Sequence, residues 1–216
     1  MNKKPLIREP GIIASTINIP SNGNFFGNVI NKSVGLPLRE IEVELDAIEL
    51  AQRSNSFDNQ MITAVINYPL GGYQANYILE SIRWADEKNI GTICTNLPLY
   101  WLRSNESIKI QRLLREIVAA VKNSNIRIST ESNLLSKEEK LILYDLLCDA
   151  GILQLKTSCG FAHRTAIEEV LYIRNNYPAL LLTVDNNLRG DSPEIDNLLQ
   201  SGVQYVCAKE PWLYHF

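Results

Sequence analysis

The sequence predicts an α/β protein folded as a TIM, or (β/α)8, barrel. From about residue 60 onward, short apolar or β-branched runs alternate with amphipathic stretches of helix length, which is the pattern of repeated βα units around a parallel sheet. Two of these runs have one apolar and one polar face, which favours a barrel with a polar interior over an open sheet covered on both faces. With 216 residues and 45% apolar content, we expect one domain spanning residues 1–216.

Seven strands are predicted from runs of apolar and β-branched residues bounded by turn residues. They lie at residues 11–18, 61–69, 91–98, 126–132, 152–158, 179–187 and 203–209. An eighth strand is expected within FFGNVINKSV, residues 25–34, where Gly and Asn make the pattern hardest to interpret.

Helices are predicted between these strands from apolar residues at helical spacing. They lie at residues 73–88, 105–122 and 164–176, with one more that begins near Ser192 and Pro193. Ser136 followed by Glu139 predicts a capping box, in which a side chain and a backbone amide at the helix start satisfy each other. It marks the start of a helix leading to the strand at 152–158.

Composition and charge indicate which kind of molecule the protein binds. The net charge of -3 and the absence of a lysine-rich tail speak against nucleic acid or an acidic membrane surface, so a small-molecule substrate is expected. Neither a signal peptide nor a membrane-spanning run is visible, which predicts a cytoplasmic protein. The four cysteines at 94, 148, 159 and 207 have no C-x-x-C spacing, so we expect free thiols and no metal site.

Lys156 is the most informative single residue. In ILQLKTS it shares a strand face with Gln154 and Ser158, while the other face is apolar. An ammonium on the inner face of a barrel is costly unless it is paired or neutralised, and desolvation lowers a lysine pKa towards the range of a nucleophilic amine. The alternative is a structural ion pair across the barrel with Glu131 or Asp185.

Two acidic residues, Glu131 and Asp185, come near the carboxyl ends of their strands. Barrel enzymes keep their catalytic groups at this end, so either carboxylate is a candidate general base. The alternative for both is a solvated acid at a strand end.

The stretch from 126 to 170 resembles the deoxyribose-phosphate aldolase family. It has a strand ending in Glu followed by a hydroxyl residue, then a helix, Ala-Gly and LKTSCG, while VINYPLGG at 65–72 is similar to the family's strand and glycine-containing turn. The similarity extends from about residue 61 to the C-terminus. It implies a class I aldolase barrel in which Lys156 forms an imine with a small carbonyl substrate and no cofactor is required.

The departures from the family concern the groups around that lysine. Cys94 stands where the family has an aspartate, and Thr183 stands where it has a second lysine. Asn186 and Asn187 replace two glycines, and Lys209 with Glu210 replaces small hydroxyl residues that help to hold phosphate. We therefore do not expect ordinary deoxyribose-phosphate cleavage or the usual phosphate cradle of backbone amides.

Lys209 is a further catalytic candidate, because it could lower the pKa of Lys156 or bind an anionic group of the substrate. Its alternative is a salt bridge with Asp185. The predicted catalytic set is thus Lys156, Asp185, Glu131 and Lys209, and the predicted substrate contacts are Asn67, Cys94, Asn96, Ser158, Thr183 and Asn186. For Cys94 the alternative is a packed small residue, and His163 is a weaker loop candidate.

Two functions follow from these observations. The first is an aldolase-like lyase that makes or breaks a carbon–carbon bond through an imine on Lys156. The second is a non-catalytic binding protein that kept the barrel and lost the reaction. A homodimer is kept as an option for the assembly.

Overall fold

In the computed structural model the chain forms a closed barrel of eight parallel strands, each paired with the next in sequence and the last with the first. The structure describes residues 9–17, 23–54, 57–161 and 164–216, without the side chains of 23–26. The strands are β1 Gly11–Ser15, β2 Glu40–Glu44, β3 Ile62–Ile66, β4 Thr92–Asn96, β5 Asn125–Ser129, β6 Gln154–Cys159, β7 Leu181–Arg189 and β8 Tyr205–Lys209. The predicted TIM barrel is confirmed.

Helices connect the strands and pack on the outside of the barrel. They are α1 Gly23–Ser33, α2 Ile48–Arg53, α3 Ala75–Glu87, α4 Leu99–Arg103, α5 Ser107–Ala120, α6 Lys137–Asp149, α7 Ile167–Asn176 and α8 Glu194–Gln200. The predicted capping box opens α6, since Ser136 Oγ accepts from the Glu139 amide at 3.2 Å and Glu139 Oε2 accepts from the Ser136 amide at 2.6 Å. In the described ranges, no helix combines the length and apolarity that crossing a membrane needs.

The predicted strand at 25–34 is wrong, because residues 25–33 of this segment belong to helix α1. Val29, Ile30 and Ser33 are buried together, at the spacing of one helix face. The strand that completes the barrel is β2, with the sequence EIEVE. It was missed because glutamate is depleted in strands, and charged side chains were not expected to fill the inner face of this strand.

The two faces of the barrel have opposite character. Outward-facing residues such as Ile41, Ile93 and Leu155 join the apolar core between strands and helices. The inner face instead carries buried charged side chains from four different strands, namely Glu40, Glu42, Arg127, Lys156 and Asp185. The polar inner face predicted for β5 and β6 is therefore observed, and it places the candidate chemistry on the barrel axis.

Candidate active site

Lys156 lies in the centre of the barrel and is 1% exposed. Its Nζ donates to both carboxylate oxygens of Glu42, at 2.7 and 3.0 Å, and to Asp185 Oδ2 at 3.3 Å. The ion pair with Asp185 that the sequence left open is present, and Glu42 is a second partner that was not predicted. The alternation in EIEVE contained the signal for it, since it puts Glu40 and Glu42 on one strand face.

Barrel closure explains why these three residues meet. β2 and β6 are four strands apart in a ring of eight, so long side chains pointing inward from them approach across the axis. Asp185 comes from the neighbouring strand β7, where the register shifts after Lys156 and pairs Cys159 with Asp185. Asp185 lies two residues beyond Thr183, the register partner of Lys156, so its side chain points inward from the same face of β7 and its Oδ2 lies 3.3 Å from Lys156 Nζ.

A second ion pair lies beside the first. Arg127 on β5 is fully buried and its Nη2 lies 2.9 Å from Glu40 Oε2. Thr63 Oγ1 donates to the same oxygen at 2.7 Å, and Arg127 Nη1 lies 3.8 Å from Glu42 Oε1. Arg127 is thus positioned between Glu40 and Glu42, and its charge helps to hold both carboxylates in the barrel interior.

The pKa values of the three central groups are shifted by this arrangement. Burial alone would lower the pKa of Lys156, but the carboxylates of Glu42 and Asp185 outweigh this effect and raise that pKa well above its usual range. Burial would likewise raise the pKa of Glu42, yet Lys156 and Arg127 lower it. Burial, joined by the charge of Glu42, raises the pKa of Asp185 despite the opposing effect of Lys156. The expected lowering of the Lys156 pKa is therefore not found, and Asp185 is the carboxylate of this cluster that takes up a proton more readily.

Two buried thiols complete the surroundings of Lys156. Burial raises the pKa of Cys94 to about 12 and that of Cys207 well above its usual range, so both are neutral at physiological pH. Oxygens of Glu42 and Asp185 and the sulfur of Cys207 lie within 4.8 Å of one another, which is a spacing that could hold a metal ion. The Lys156 ammonium already contacts both carboxylates, so the positive charge beside Glu42, Asp185 and Cys207 is that of Lys156.

Glu131 contacts the segment that follows β6. Its Oε1 accepts from the Cys159 amide at 2.8 Å, from the Cys159 thiol at 2.7 Å and from the Phe161 amide at 3.4 Å. These contacts fix the backbone just beyond the KTSCG sequence. Glu131 is thus a positioning group for this segment, while Glu42 and Asp185 are the carboxylates that contact Lys156.

Four of the six predicted substrate contacts form two clusters at the carboxyl end of the barrel, namely Ser158 with Asn186 and Asn67 with Asn96. Ser158 Oγ and the Thr165 amide donate to Asn186 Oδ1 at 3.1 and 2.8 Å, and Asn186 Nδ2 donates to Glu194 Oε1 at 2.7 Å. On the other side, Asn67 Nδ2 donates to the Asn96 carbonyl at 2.8 Å. The side-chain amides of Asn67 and Asn186 are thus held by hydrogen bonds within the protein, and they form part of the rim of the barrel around Lys156. Thr183 pairs in register with Lys156 on the neighbouring strand.

Lys209 ends β8 at the mouth of the barrel and is partly exposed. The salt bridge with Asp185 that the sequence left open is not formed, since the Asp185 carboxylate pairs with Lys156. In the part of the chain that the structure describes, no acidic side chain pairs with the Lys209 ammonium. His163 lies outside the described residues.

Comparison with known proteins finds sequence relatives named deoxyribose-phosphate aldolase. No model of a known protein family matches the chain. It is 25% identical to the deoxyribose-phosphate aldolase of Thermosynechococcus vestitus over 113 residues, which is 52% of each chain. It is 26% identical to that of a Cyanothece species over 124 residues, 57% of this chain and 52% of the relative. The matched segment thus spans about half the length of these curated relatives.

Solved structures extend the likeness in fold to almost the whole chain. An aldolase designated QR15 superimposes with a TM-score of 0.81 at 18% identity, covering 96% of this chain and 91% of QR15. The tetrameric deoxyribose-phosphate aldolase of Aeropyrum pernix superimposes with a TM-score of 0.77 at 16% identity, covering 91% and 84% of the two chains. The protein is therefore a TIM barrel that resembles the deoxyribose-phosphate aldolases in the sequence of about half its length and in the fold of nearly all of it.

Proposed function

We propose that the protein is an aldolase-like lyase that forms an imine between Lys156 and a small carbonyl substrate. The observation that supports this most directly is the position of Lys156, a buried amine on the barrel axis in contact with Glu42 and Asp185. Imine formation needs an amine that can lose its proton and an acid that can return one. Both requirements fall within this one cluster, and its relatives in sequence are aldolases.

In the first step the Lys156 ammonium gives one proton to the Asp185 carboxylate, whose raised pKa favours this acceptance. The neutral amine then attacks the carbonyl carbon, and the carbonyl oxygen takes up the second amine proton as the carbinolamine forms. Asp185 returns its proton to that hydroxyl group, which leaves as water. The products are a protonated imine and an ionised Asp185, with Glu42 remaining the fixed counter-charge beside Arg127.

In the second step the protonated imine accepts the electron pair of the bond to be broken. The bond between the α- and β-carbons breaks as the Asp185 carboxylate takes the proton of the hydroxyl group on the β-carbon. That carbon departs as an aldehyde, and an enamine remains on Lys156. Asp185 protonates the enamine carbon to regenerate an imine, and water hydrolyses it to free the amine. Bond formation is the reverse sequence, so the same groups serve both directions.

Borohydride trapping tests this proposal. The protein is incubated with a panel of small aldehydes and ketones, reduced, weighed and mapped by peptide mass spectrometry. One adduct is expected on the peptide carrying Lys156, with none on that peptide in Lys156→Met. Asp185→Asn should slow trapping at least about tenfold through loss of acid–base catalysis, whereas the exposed Asp191→Asn should not. Adducts spread evenly over surface lysines would contradict the proposal.

One observation favours a second function, a binding protein without catalysis. The two carboxylates around Lys156 stabilise its ammonium form, and an ammonium is not a nucleophile. In that case the lysine is a structural cation, and Lys156→Met should retain ligand binding if its fold survives. No reduced adduct with any carbonyl, together with unchanged binding by Lys156→Met, would favour this function over the lyase.

A further inference from the structure

The rim between β7 and β8 has its backbone amides engaged within the protein. Beyond the register shift, β7 continues and pairs Leu188 with Ala208 and Arg189 with Lys209. The Asn187 amide donates to Asp185 Oδ1 at 3.1 Å, and the Gly190 amide donates to the Lys209 carbonyl at 2.9 Å. Phosphate binding at such a rim depends on backbone N–H groups that point at the ligand. Here those groups are already used by a carboxylate and by the sheet.

Charge at the same rim also gives little support to an anion, because two of its cations are paired. Arg164 Nη1 pairs with Glu194 Oε2 at 2.8 Å, and Arg189 Nε pairs with Glu210 Oε2 at 3.2 Å. Both guanidinium charges are therefore compensated by carboxylates. A phosphate placed here would be attracted by the Lys209 ammonium, while Glu194 and Glu210 offset the two guanidinium charges that could otherwise bind it. One lysine is a poor counter-charge for a phosphate dianion in these surroundings.

The opposite side of the mouth offers an apolar cleft. This β3 cleft encloses about 520 Å³ and is lined chiefly by Ile17, Val65, Tyr68, Tyr73 and Trp84. The lining also includes Glu44 and Asp46, and none of the described residues that line the cleft is basic. The volume is in the range of small-molecule sites. Its lining suits an apolar or aromatic group and repels phosphate.

The β3 cleft adjoins the surroundings of Lys156. Ile17 and Val65, at its inner end, pack with Cys94 in one buried cluster. Cys94 on β4 and Lys156 on β6 both point into the barrel, with β5 between their strands. Tyr68 also contacts the ring of Phe161, in the segment beyond KTSCG, edge to face with centroids 6.4 Å apart. A substrate whose carbonyl reaches Lys156 would therefore have its substituent on the side of this cleft.

At the rim of β7 and β8 the backbone amides and two guanidinium groups are engaged within the protein, and the β3 cleft is apolar. From these two observations we infer that the substrate is an unphosphorylated carbonyl compound with an apolar substituent about the size of an aromatic ring, which the β3 cleft binds. This inference rests on the proposed lyase function. It assigns the recognition of the substrate to apolar contacts beside β3, and it assigns no phosphate to the rim of β7 and β8.

Trapping rates at Lys156 test the inference when aldehydes are compared. We expect 3-phenylpropanal to be trapped at least about tenfold faster than glyceraldehyde 3-phosphate, because transfer of the phenyl ring from water into the apolar cleft favours binding of this aldehyde. Tyr73→Ala should reduce trapping of 3-phenylpropanal by a clearly larger factor than trapping of propanal. Tyr77→Ala is the matched control, since Tyr77 is 56% exposed against 58% for Tyr73 and does not line the cleft. Faster trapping of the phosphorylated aldehyde would overturn the inference.

A binding measurement that needs no reaction separates the two proposals. The unreactive 3-phenylpropan-1-ol should change Trp84 fluorescence with saturation, and the change should disappear in Trp84→Phe. Inorganic phosphate should neither bind with saturation by calorimetry nor displace the alcohol. If no aldehyde is trapped but the alcohol binds, imine formation fails and the cleft assignment stands. Saturable phosphate binding, or no saturable signal from the alcohol, overturns the inference whatever the trapping result.

Discussion

Nζ of Lys156 lies 2.7 Å from Oε2 of Glu42, although the two residues are 114 positions apart in the chain. Both side chains are almost completely buried, at 2% and 0% exposure, so each depends on the other for compensation of its charge. Glu42 lies before residue 61, outside the stretch whose sequence resembles the aldolases. The charge state of Lys156 is therefore controlled by a strand that lies outside the stretch in which the sequence motifs indicate that resemblance.

Removal of the Glu42 charge should destabilise the fold strongly. Glu42→Gln leaves the buried ammonium of Lys156 with Asp185 as its remaining carboxylate partner, and breaking a buried pair in this way costs about 3–5 kcal/mol. Urea denaturation measures the free energy of unfolding. Glu44→Gln, on the same strand but exposed, is the control and should stay within about 0.5 kcal/mol of the unchanged protein. Equal effects of the two substitutions would contradict the ion pair's role.

The contribution of Glu42 to stability should disappear in acid. Its pKa in the folded protein is lowered, so the contribution is present above the unfolded value of about 4.3 and is lost as pH falls through the folded pKa. The difference in unfolding free energy between the unchanged protein and Glu42→Gln should therefore be constant near neutral pH and shrink below about pH 4. Denaturation series from neutral pH downward measure it, and a gap that does not narrow would argue against this assignment.

The turn after β3 should depend on one of two adjacent glycines. Gly71 has a φ of +73°, and a Cβ there would collide with the backbone carbonyl of Leu97 at the end of β4. Gly71→Ala should thus cost about 3 kcal/mol or more, because backbone rather than a flexible side chain blocks the methyl group. Gly72→Ala meets nothing within 4 Å and should change stability by less than about 1 kcal/mol. Thermal and urea unfolding of the pair decide this, and similar losses in both would contradict it.

Glu131 should control the reactivity of the Cys159 thiol. Burial and the hydrogen bond to Glu131 raise the pKa of Cys159. Glu131→Gln removes the negative charge, so the pH profile of Cys159 alkylation by iodoacetamide should move to lower pH, with at least about threefold faster labelling at mildly alkaline pH. Cys148, half-buried on α6, is the internal control. A faster rate with an unshifted pH profile would indicate loosening of the segment instead of the charge effect.

Several parts of the fold and site follow from local sequence alone. The alternation of strand and helix periods predicted the barrel, and Ser136 with Glu139 predicted the start of α6. The polar face of ILQLKTS predicted that Lys156 lies inside the barrel. These features depend on neighbours a few residues apart, because side-chain direction repeats every two residues in a strand and every 3.6 in a helix. The sequence also offered Glu131 and Asp185 as alternative partners near strand ends, and the structure shows that Asp185 is the one that contacts Lys156.

Tertiary structure decided which charges are paired. β2 is a strand although its alternate residues are glutamates, because Arg127 and Lys156 from distant strands compensate Glu40 and Glu42 inside the closed barrel. The same closure determines the direction of the Lys156 pKa shift, since burial lowers that pKa while carboxylates from β2 and β7 raise it. Sequence determines which face of a strand a charge occupies. Which opposite charge it meets depends on how eight strands close around one axis.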